Sequence, residues 1–342
     1  MPPLDRTSRK RATIGDVASL AGVDLALVSK VVNEDPKLRI KDETRARIVK
    51  AIAELNYLPS RNARNLRMAE TKIIGLVLPA FTNPTWAAFA TAIERAAERR
   101  GRTLIIGSEV PSNERTEQFI AMVADGFLDG LMIATPASPV VLERAAGLNI
   151  VFINQETPEP ASSIVFDDAC AIEMAIEHLH GLGHCAIAHL AGPPILDAAY
   201  RRAVAFRQAM QRRGLDSNRI FEGELSPDAG EELMGTALRA APEITAVVVA
   251  NAVSAIGALR CCYALGVVVP RDLSMVSIHD NAVIASLFPA LDAVEMPIGE
   301  LAESAVERLL NPGLPPLKKV VSEGILLKVR ESAGPPHHGK FG

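Results

Sequence analysis

Residues 13–33, TIGDVASLAGVDLALVSKVVN, decide how the amino-terminal part of the chain folds. Thr13 can cap a helix, and Asp16 three places on returns the bond in a capping-box arrangement. Val17, Ala18 and Ala21 then recur at helical spacing and give a short apolar face. Gly22 supplies a tight turn, and Asp24 offers a second N-cap. Leu27, Val28, Val31 and Val32 form the inner stripe of the helix that follows. Two short helices joined by a Gly-containing turn of this length are the helix-turn-helix pattern, whose second helix lies in a DNA major groove. A plain helical corner has the same spacing, so the flanking sequence has to separate the two.

Downstream, residues 42–55 (DETRARIVKAIAEL) read as a third helix, capped by Asp42, with Ile48, Ile52 and Leu55 facing inward. In the next stretch, NYLPSRNARNL, Pro59 stops the helical path and Ser60 can cap a short new helix, SRNARNLR. A helix of that length does not hold in isolation. Charge divides at the same place. Residues 1–72 carry 15 Lys/Arg against 9 Asp/Glu, and the remainder carries 21 against 31, within an overall charge of −4. A basic head on an acidic body is the asymmetry of a chain whose head alone meets a polyanion.

The whole chain has 342 residues, a prior for about two domains with room for a large core. Its apolar runs are short of the ~20 residues that a membrane span needs. The basic start (Arg6, Arg9, Lys10, Arg11) lacks the apolar segment of a secretion signal. Cys170, Cys185, Cys261 and Cys262 have neither zinc-ligand nor redox-pair spacing, which suits a reducing cytoplasm. From Lys72 onward the pattern alternates apolar strands (73–79, 103–107, 130–134, 150–154, 186–191, 246–250 and 273–279) with amphipathic helices (85–100, 167–182, 200–213, 251–265 and 299–310). That alternation implies parallel sheet with helices on both faces, and ligands outside the carboxyl ends of the strands.

Taken in order, IGDVASLAGVDLALVSKVVN, AELNYLPSRNARNL, the strand IIGLVLPAFTNP and HLHGLGHCAIAHLAGP resemble the LacI/GalR family of bacterial transcription repressors. The likeness runs from Thr13 to about Arg330. It implies an α/β chain with an all-α helix-turn-helix headpiece (1–59), a hinge helix and linker (60–72) and a two-subdomain, periplasmic-binding-protein-like body with parallel sheets (73–331), ending in a flexible tail (332–342). It further implies a homodimer on a pseudo-palindromic double-stranded operator, a small effector between the subdomains, no cofactor and no enzymatic activity. A solute-binding protein with the same body is the alternative, but it leaves the basic head without a purpose. An enzyme is a third class, and the sequence shows no G-x-G-x-x-G, Walker loop or nucleophile-base pair to support one.

By position, the resemblance assigns base reading to Leu25, Ala26 and Lys30. Chemistry agrees, since lysine bonds guanine O6/N7 and apolar side chains meet thymine methyls. Ser29 suits a phosphate. Asp24 stands where the family usually has Ser or Thr and adds repulsion to a nearby phosphate. In the following link Lys37, Arg39 and Lys41 suit phosphates, and Arg39 can also reach an outer base; a solvated loop is the other reading. In the family the hinge orders on DNA beside its copy in the minor groove, where a leucine wedges a base step. Here that leucine is Leu66, with Arg61, Ala63 and Arg64 on the same segment.

For the effector the candidates are Trp86, Asn154, Arg202, Leu225, Asn251 and His279. Trp86 can stack on a ring or sugar face, or be a partly buried core residue. Arg202 matches the family arginine that binds effector oxygens. Asn154 and His279 replace two acids that sugar-binding relatives carry. Their loss leaves Arg202 less neutralised and favours a sugar acid or sugar phosphate, with a neutral sugar as the competing expectation. His178, His180 and His184 read as a structural join in preference to a metal site.

Overall fold

The computed structural model describes residues 12–32, 38–55, 57, 70–79, 83–109 and 113–336. It divides into a head, Met1–Thr71, and a body, Lys72–Gly342.

In the head, α1 (Ile14–Ala21) starts at the full capping box. Thr13 accepts from the Asp16 N–H, and Asp16 accepts from the Thr13 N–H at 2.7 Å. Gly22 ends it in the left-handed region, φ 62°, where a glycine has no Cβ to clash. Asp24 accepts from the Ala26 N–H at 2.7 Å and so opens α2 (Leu25–Val32). The third helix, α3 (Asp42–Glu54), corrects one expectation. Its N-cap is Lys41, without a side-chain bond, and Asp42 lies inside the first turn, where its carboxylate meets the positive helix end instead of capping it. Val17, Ala21, Val28, Val31, Ile48 and Ala51 close a small core, with Leu27, Ile52, Leu55 and Tyr57 packed on it.

In the body the apolar runs become the strands of two sheets, each with helices around it. β1 (Ile73–Leu78), β2 (Thr103–Ser108), β3 (Gly130–Ile133), β4 (Ile150–Ile153), β5 (Ser162–Phe166) and β11 (Lys318–Val321) form the first. Its order is β11-β5-β4-β3-β1-β2 and every pairing is parallel. The second has the order β12-β10-β9-β8-β6-β7. It uses β6 (Ile187–Ala191), β7 (Ile220–Glu222), β8 (Ala246–Val249), β9 (Ser274–Ile278), β10 (Asp292–Glu295) and β12 (Leu326–Lys328), and only the β10–β12 pairing is antiparallel. The central strands are buried along their length, which is why they read as unbroken apolar runs.

The helices are α4 (Pro84–Glu98), α5 (Glu114–Ala124), α6 (Pro139–Ala145), α7 (Asp168–Gly181), α8 (Asp197–Arg212), α9 (Pro227–Ala240), α10 (Ala252–Ala264), α11 (Ala282–Ala285) and α12 (Ile298–Leu310). The chain passes between subdomains three times: from β5 into α7, from β10 into α12, and from β11 to β12. α9 and α10 approach backbone to backbone at two glycines. A Cβ on Gly230 would lie 2.1 Å from the Ser254 carbonyl oxygen, and one on Gly257 would lie 1.7 Å from that of Pro227.

The histidines of HLHGLGH do join elements. His178 Nε2 lies 3.0 Å from Asp292, while His184 bonds Thr245 (2.8 Å) and the Gly334 carbonyl (2.8 Å), so it ties α7 to the carboxyl-terminal segment. No helix among the described residues is long and apolar enough to cross a membrane.

Candidate functional site

The head presents α2 with one face inward and one outward. Val28 and Val31 are buried; Leu25, half of its surface exposed, Ala26 and Lys30 are outside, and Ser29 is half-buried. The Asp24 cap fixes the first turn of this helix, from which Leu25 and Ala26 project. Arg39 and Lys41 are exposed on the link to α3. Arg61, Ala63, Arg64 and Leu66, together with Lys37, Pro59, Ser60 and the cluster at 9–11, lie outside the described residues.

In the body, a cavity of about 960 Å³ opens between the two sheets, and Trp86, Asn154, Arg202, Leu225, Asn251 and His279 all line it. Trp86 and Asn154 come from the first subdomain, the other four from the second. Fold geometry explains the convergence. Asn154 and His279 follow the last residues of β4 and β9, Asn251 comes just after β8, and parallel strands direct their carboxyl ends to one crevice. Asn154 (φ 56°) and His279 (φ 65°) both adopt the left-handed backbone region, uncommon for residues with a side chain and a mark of sites where direction matters.

Helix starts supply the rest of the rim. Asn83 caps α4 by accepting from the Thr85 N–H (3.0 Å), Ser226 caps α9 (3.2 Å), and Asn251 caps α10 by accepting from the Ser254 N–H (2.8 Å). The Asn251 carbonyl oxygen is therefore engaged in the fold, and its amide nitrogen is the group left for other bonds. Trp86 is half-buried, its ring 5.1 Å from that of Phe89, so it serves the core and the cavity wall together.

Arg202 corrects the expectation drawn from the missing acids. It is 3% exposed, and each of its three nitrogens makes one hydrogen bond, which leaves a second N–H on Nη1 and on Nη2. Nε donates to Asp168 at 2.6 Å, Nη1 to the Ala250 carbonyl at 2.7 Å, and Nη2 to His279 Nε2 at 3.1 Å. A buried counter-ion is thus present. Asp168 starts α7, just past the first chain crossing, and holds Arg201 as well at 2.7 Å.

His279 accepts from an arginine, so it is neutral and carries its proton on Nδ1. Burial, then the adjacent Arg202 charge, holds its pKa well below the usual histidine range. Its Nδ1, Asn154 Oδ1 and Thr85 Oγ1 are buried and have no hydrogen-bond partner among the described residues. Across the opening, Asp197 accepts from the Glu156 N–H (2.9 Å) and from Arg201 Nε (2.8 Å), bridging the two subdomains at the rim.

The resulting site is concave, largely apolar, and provided with a few fixed polar groups, which is the chemistry of small-molecule binding. Asp168 and Asp197 are the residues that sequence reasoning missed. The signal available for them was an acid at each helix start, directly after an apolar strand or a Pro-Pro turn.

Comparison with known proteins agrees with both halves. Residues 13–60 match the family of bacterial regulatory proteins, lacI family, and residues 176–332 match the periplasmic binding protein-like domain. The HTH-type transcriptional regulator DegA of Bacillus subtilis (strain 168) is 33% identical over 302 residues, which are 85% of this chain and 88% of that protein. The ribose operon repressor of Escherichia coli (strain K12) is 29% identical over 307 residues, 88% of this chain and 92% of that one. Among solved structures, the lac repressor dimer bound to operator and the anti-inducer ONPF superposes with a TM-score of 0.83 at 27% identity, covering 95% of this chain and 100% of the other.

Proposed function

The chain belongs to the lacI family of bacterial regulatory proteins, and from that premise we propose that it is a homodimeric repressor whose hold on its operator is set by a small carbohydrate-type molecule in the cavity of the body. Each head takes one half of a pseudo-palindromic site, with α2 in the major groove. Leu25, Ala26 and Lys30 read base edges, Ser29 and Arg39 reach the backbone, and the segment with Arg61, Ala63, Arg64 and Leu66 enters the minor groove at the centre.

The effector is held by Trp86, Asn154, Arg202, Leu225, Asn251 and His279. Arg202 also binds Asp168 at the chain crossing, so a ligand that favours one setting of Arg202 and His279 favours one angle between the subdomains. It changes operator affinity only through its different affinities for the two settings. The observation that carries this reading is the convergence of six residues, far apart in the chain, on a single cavity. Relatives named for ribose and lac repression supply the carbohydrate class.

The test is selection of operators from random duplex DNA by the full-length protein, followed by affinity measurements on the selected site with and without a panel of sugars. A selected palindrome whose affinity moves with one sugar supports the proposal. Failure to enrich any sequence at moderate salt overturns it.

A further inference from the structure

We infer that Asp197 couples the cavity to the angle between the subdomains, because one carboxylate both walls the cavity and latches the second subdomain onto the first; this rests on the effector reading above and adds a residue to it. Asp197 lies in the first turn of α8. Its Oδ2 accepts from the Glu156 N–H (2.9 Å), just past β4, and from Arg201 Nε (2.8 Å), one turn on. Arg201 in turn donates from Nη1 to the carbonyl of Phe166 (2.9 Å), the last residue of β5, and lies 2.7 Å from Asp168, the first residue of α7. The pair therefore holds the first subdomain at two places and grips the first chain crossing from both sides.

Both anchors of this latch are stiff. In the first subdomain, Gln155 accepts from the Ala137 N–H (2.9 Å) and Lys318 of β11 donates to the Thr157 carbonyl, so Glu156 sits between two fixed neighbours. In the second, α8 is fastened to α7 near both ends. Asp168 holds Arg202 at 2.6 Å, and Glu173 holds Arg213, just past α8, at 2.6 Å. A bond between two stiff bodies constrains their relative angle, whereas the same bond to a loose loop would be absorbed locally. The side chains of Asp197 and Arg201 are 28% and 17% exposed, so water competes for these bonds and the latch can be released.

Asp197 also lines the cavity, beside Ala198, Ala199 and Arg202 of the same helix. Both latch bonds use Oδ2, and Oδ1 makes no hydrogen bond among the described residues. A guest hydroxyl that donates to Oδ1 binds the very carboxylate that spans the subdomains. It thereby favours the setting in which the Glu156 N–H is within reach.

Acrylamide quenching of Trp86, the single tryptophan and itself part of the cavity wall, reads the opening of the cavity in the full-length protein without sugar or DNA. A hydrogen bond to an ionised group shifts a two-state equilibrium by roughly tenfold, and screening at a partly exposed carboxylate lowers that to about threefold. Asp197→Ala should therefore raise the quenching constant clearly and shift sugar-free affinity for the selected operator by about threefold. Asp197→Asn, whose amide oxygen still accepts from the Glu156 N–H, should fall between wild type and Asp197→Ala in both readouts. Glu173→Ala breaks an α7–α8 ion pair remote from the first subdomain and should leave both at their wild-type values. Unchanged quenching in Asp197→Ala, or an equal rise in Glu173→Ala, overturns the latch. A rise in quenching with unchanged operator affinity overturns the coupling and leaves the repressor reading standing. If no operator is selected, that reading and the coupling fall together, whatever the quenching shows.

Discussion

Replacing Asp168 by Ala tests the central ion pair of the body. Its carboxylate is 1% exposed and lies 2.6 Å from Arg202 Nε, and the Arg202 side chain is 4% exposed. Truncation leaves that guanidinium with the Ala250 carbonyl and a neutral histidine but no opposite charge. Breaking a buried pair from one side costs about 3–5 kcal/mol, because the remaining charge is left buried without its counter-ion. Arg201 loses less, since Asp197 still holds it at 2.8 Å. The chain has a single tryptophan, Trp86, which sits in the body beside Phe89, so its emission during urea unfolding follows the body alone. The midpoint shift multiplied by the slope should give that 3–5 kcal/mol. A second variant, Asp168→Ala/Arg202→Leu, removes both charges and should recover most of the loss. A single-variant cost under about 1 kcal/mol, or a double variant no more stable than the single, would refute the reasoning.

Three further outcomes are expected. Lys30→Ala should weaken binding to the selected operator by ~1–3 kcal/mol and relax one base position, read from a ladder of single-base operator variants, while sugar affinity stays unchanged. Thr13→Ala removes a capping box and should destabilise the head by about 1 kcal/mol, visible as faster amide exchange across Ile14–Ala21 with no change in the unfolding midpoint reported by Trp86. His189, stacked on Phe206 and donating from Nδ1 to the Val248 carbonyl, has its pKa lowered to about 4 by burial, so the unfolded chain binds the extra proton first as the pH falls. Body stability should therefore decline between pH 6.5 and about 4, and His189→Gln should flatten part of that slope.

Legibility in the sequence followed burial only in part: β5 (SSIVF) and β10 (DAVE) are largely buried but carry polar residues and were not read as strands, while the partly exposed β2 was. Strands β1, β3, β4, β8 and β9 stand out because both faces are covered, and the runs predicted for them agree with the observed strands to within a residue at either end. By contrast, β7 (IFE), β11 (KKVV) and β12 (LLK) are three or four residues long, partly exposed, and held by pairing to distant strands, so no local pattern marks them. The same division runs through the cavity. Trp86, Asn154, Leu225, Asn251 and His279 follow strands or open helices and were readable from position. The charge state around Arg202 was not, because its counter-ion lies 34 residues earlier, on another helix, and only the folded arrangement puts them together.

The bare contact between α9 and α10 has a mechanical consequence. With backbone against backbone at Gly230 and Gly257, these helices have no side-chain cushion at those two points, which resists shear within the pair. Leu225, just ahead of α9, and Asn251, at the start of α10, therefore belong to one stiff unit of the cavity wall. They act as the fixed jaw of a caliper. Under the function proposed above, fitting a guest falls to the opposite jaw, joined to this one by three threads of chain.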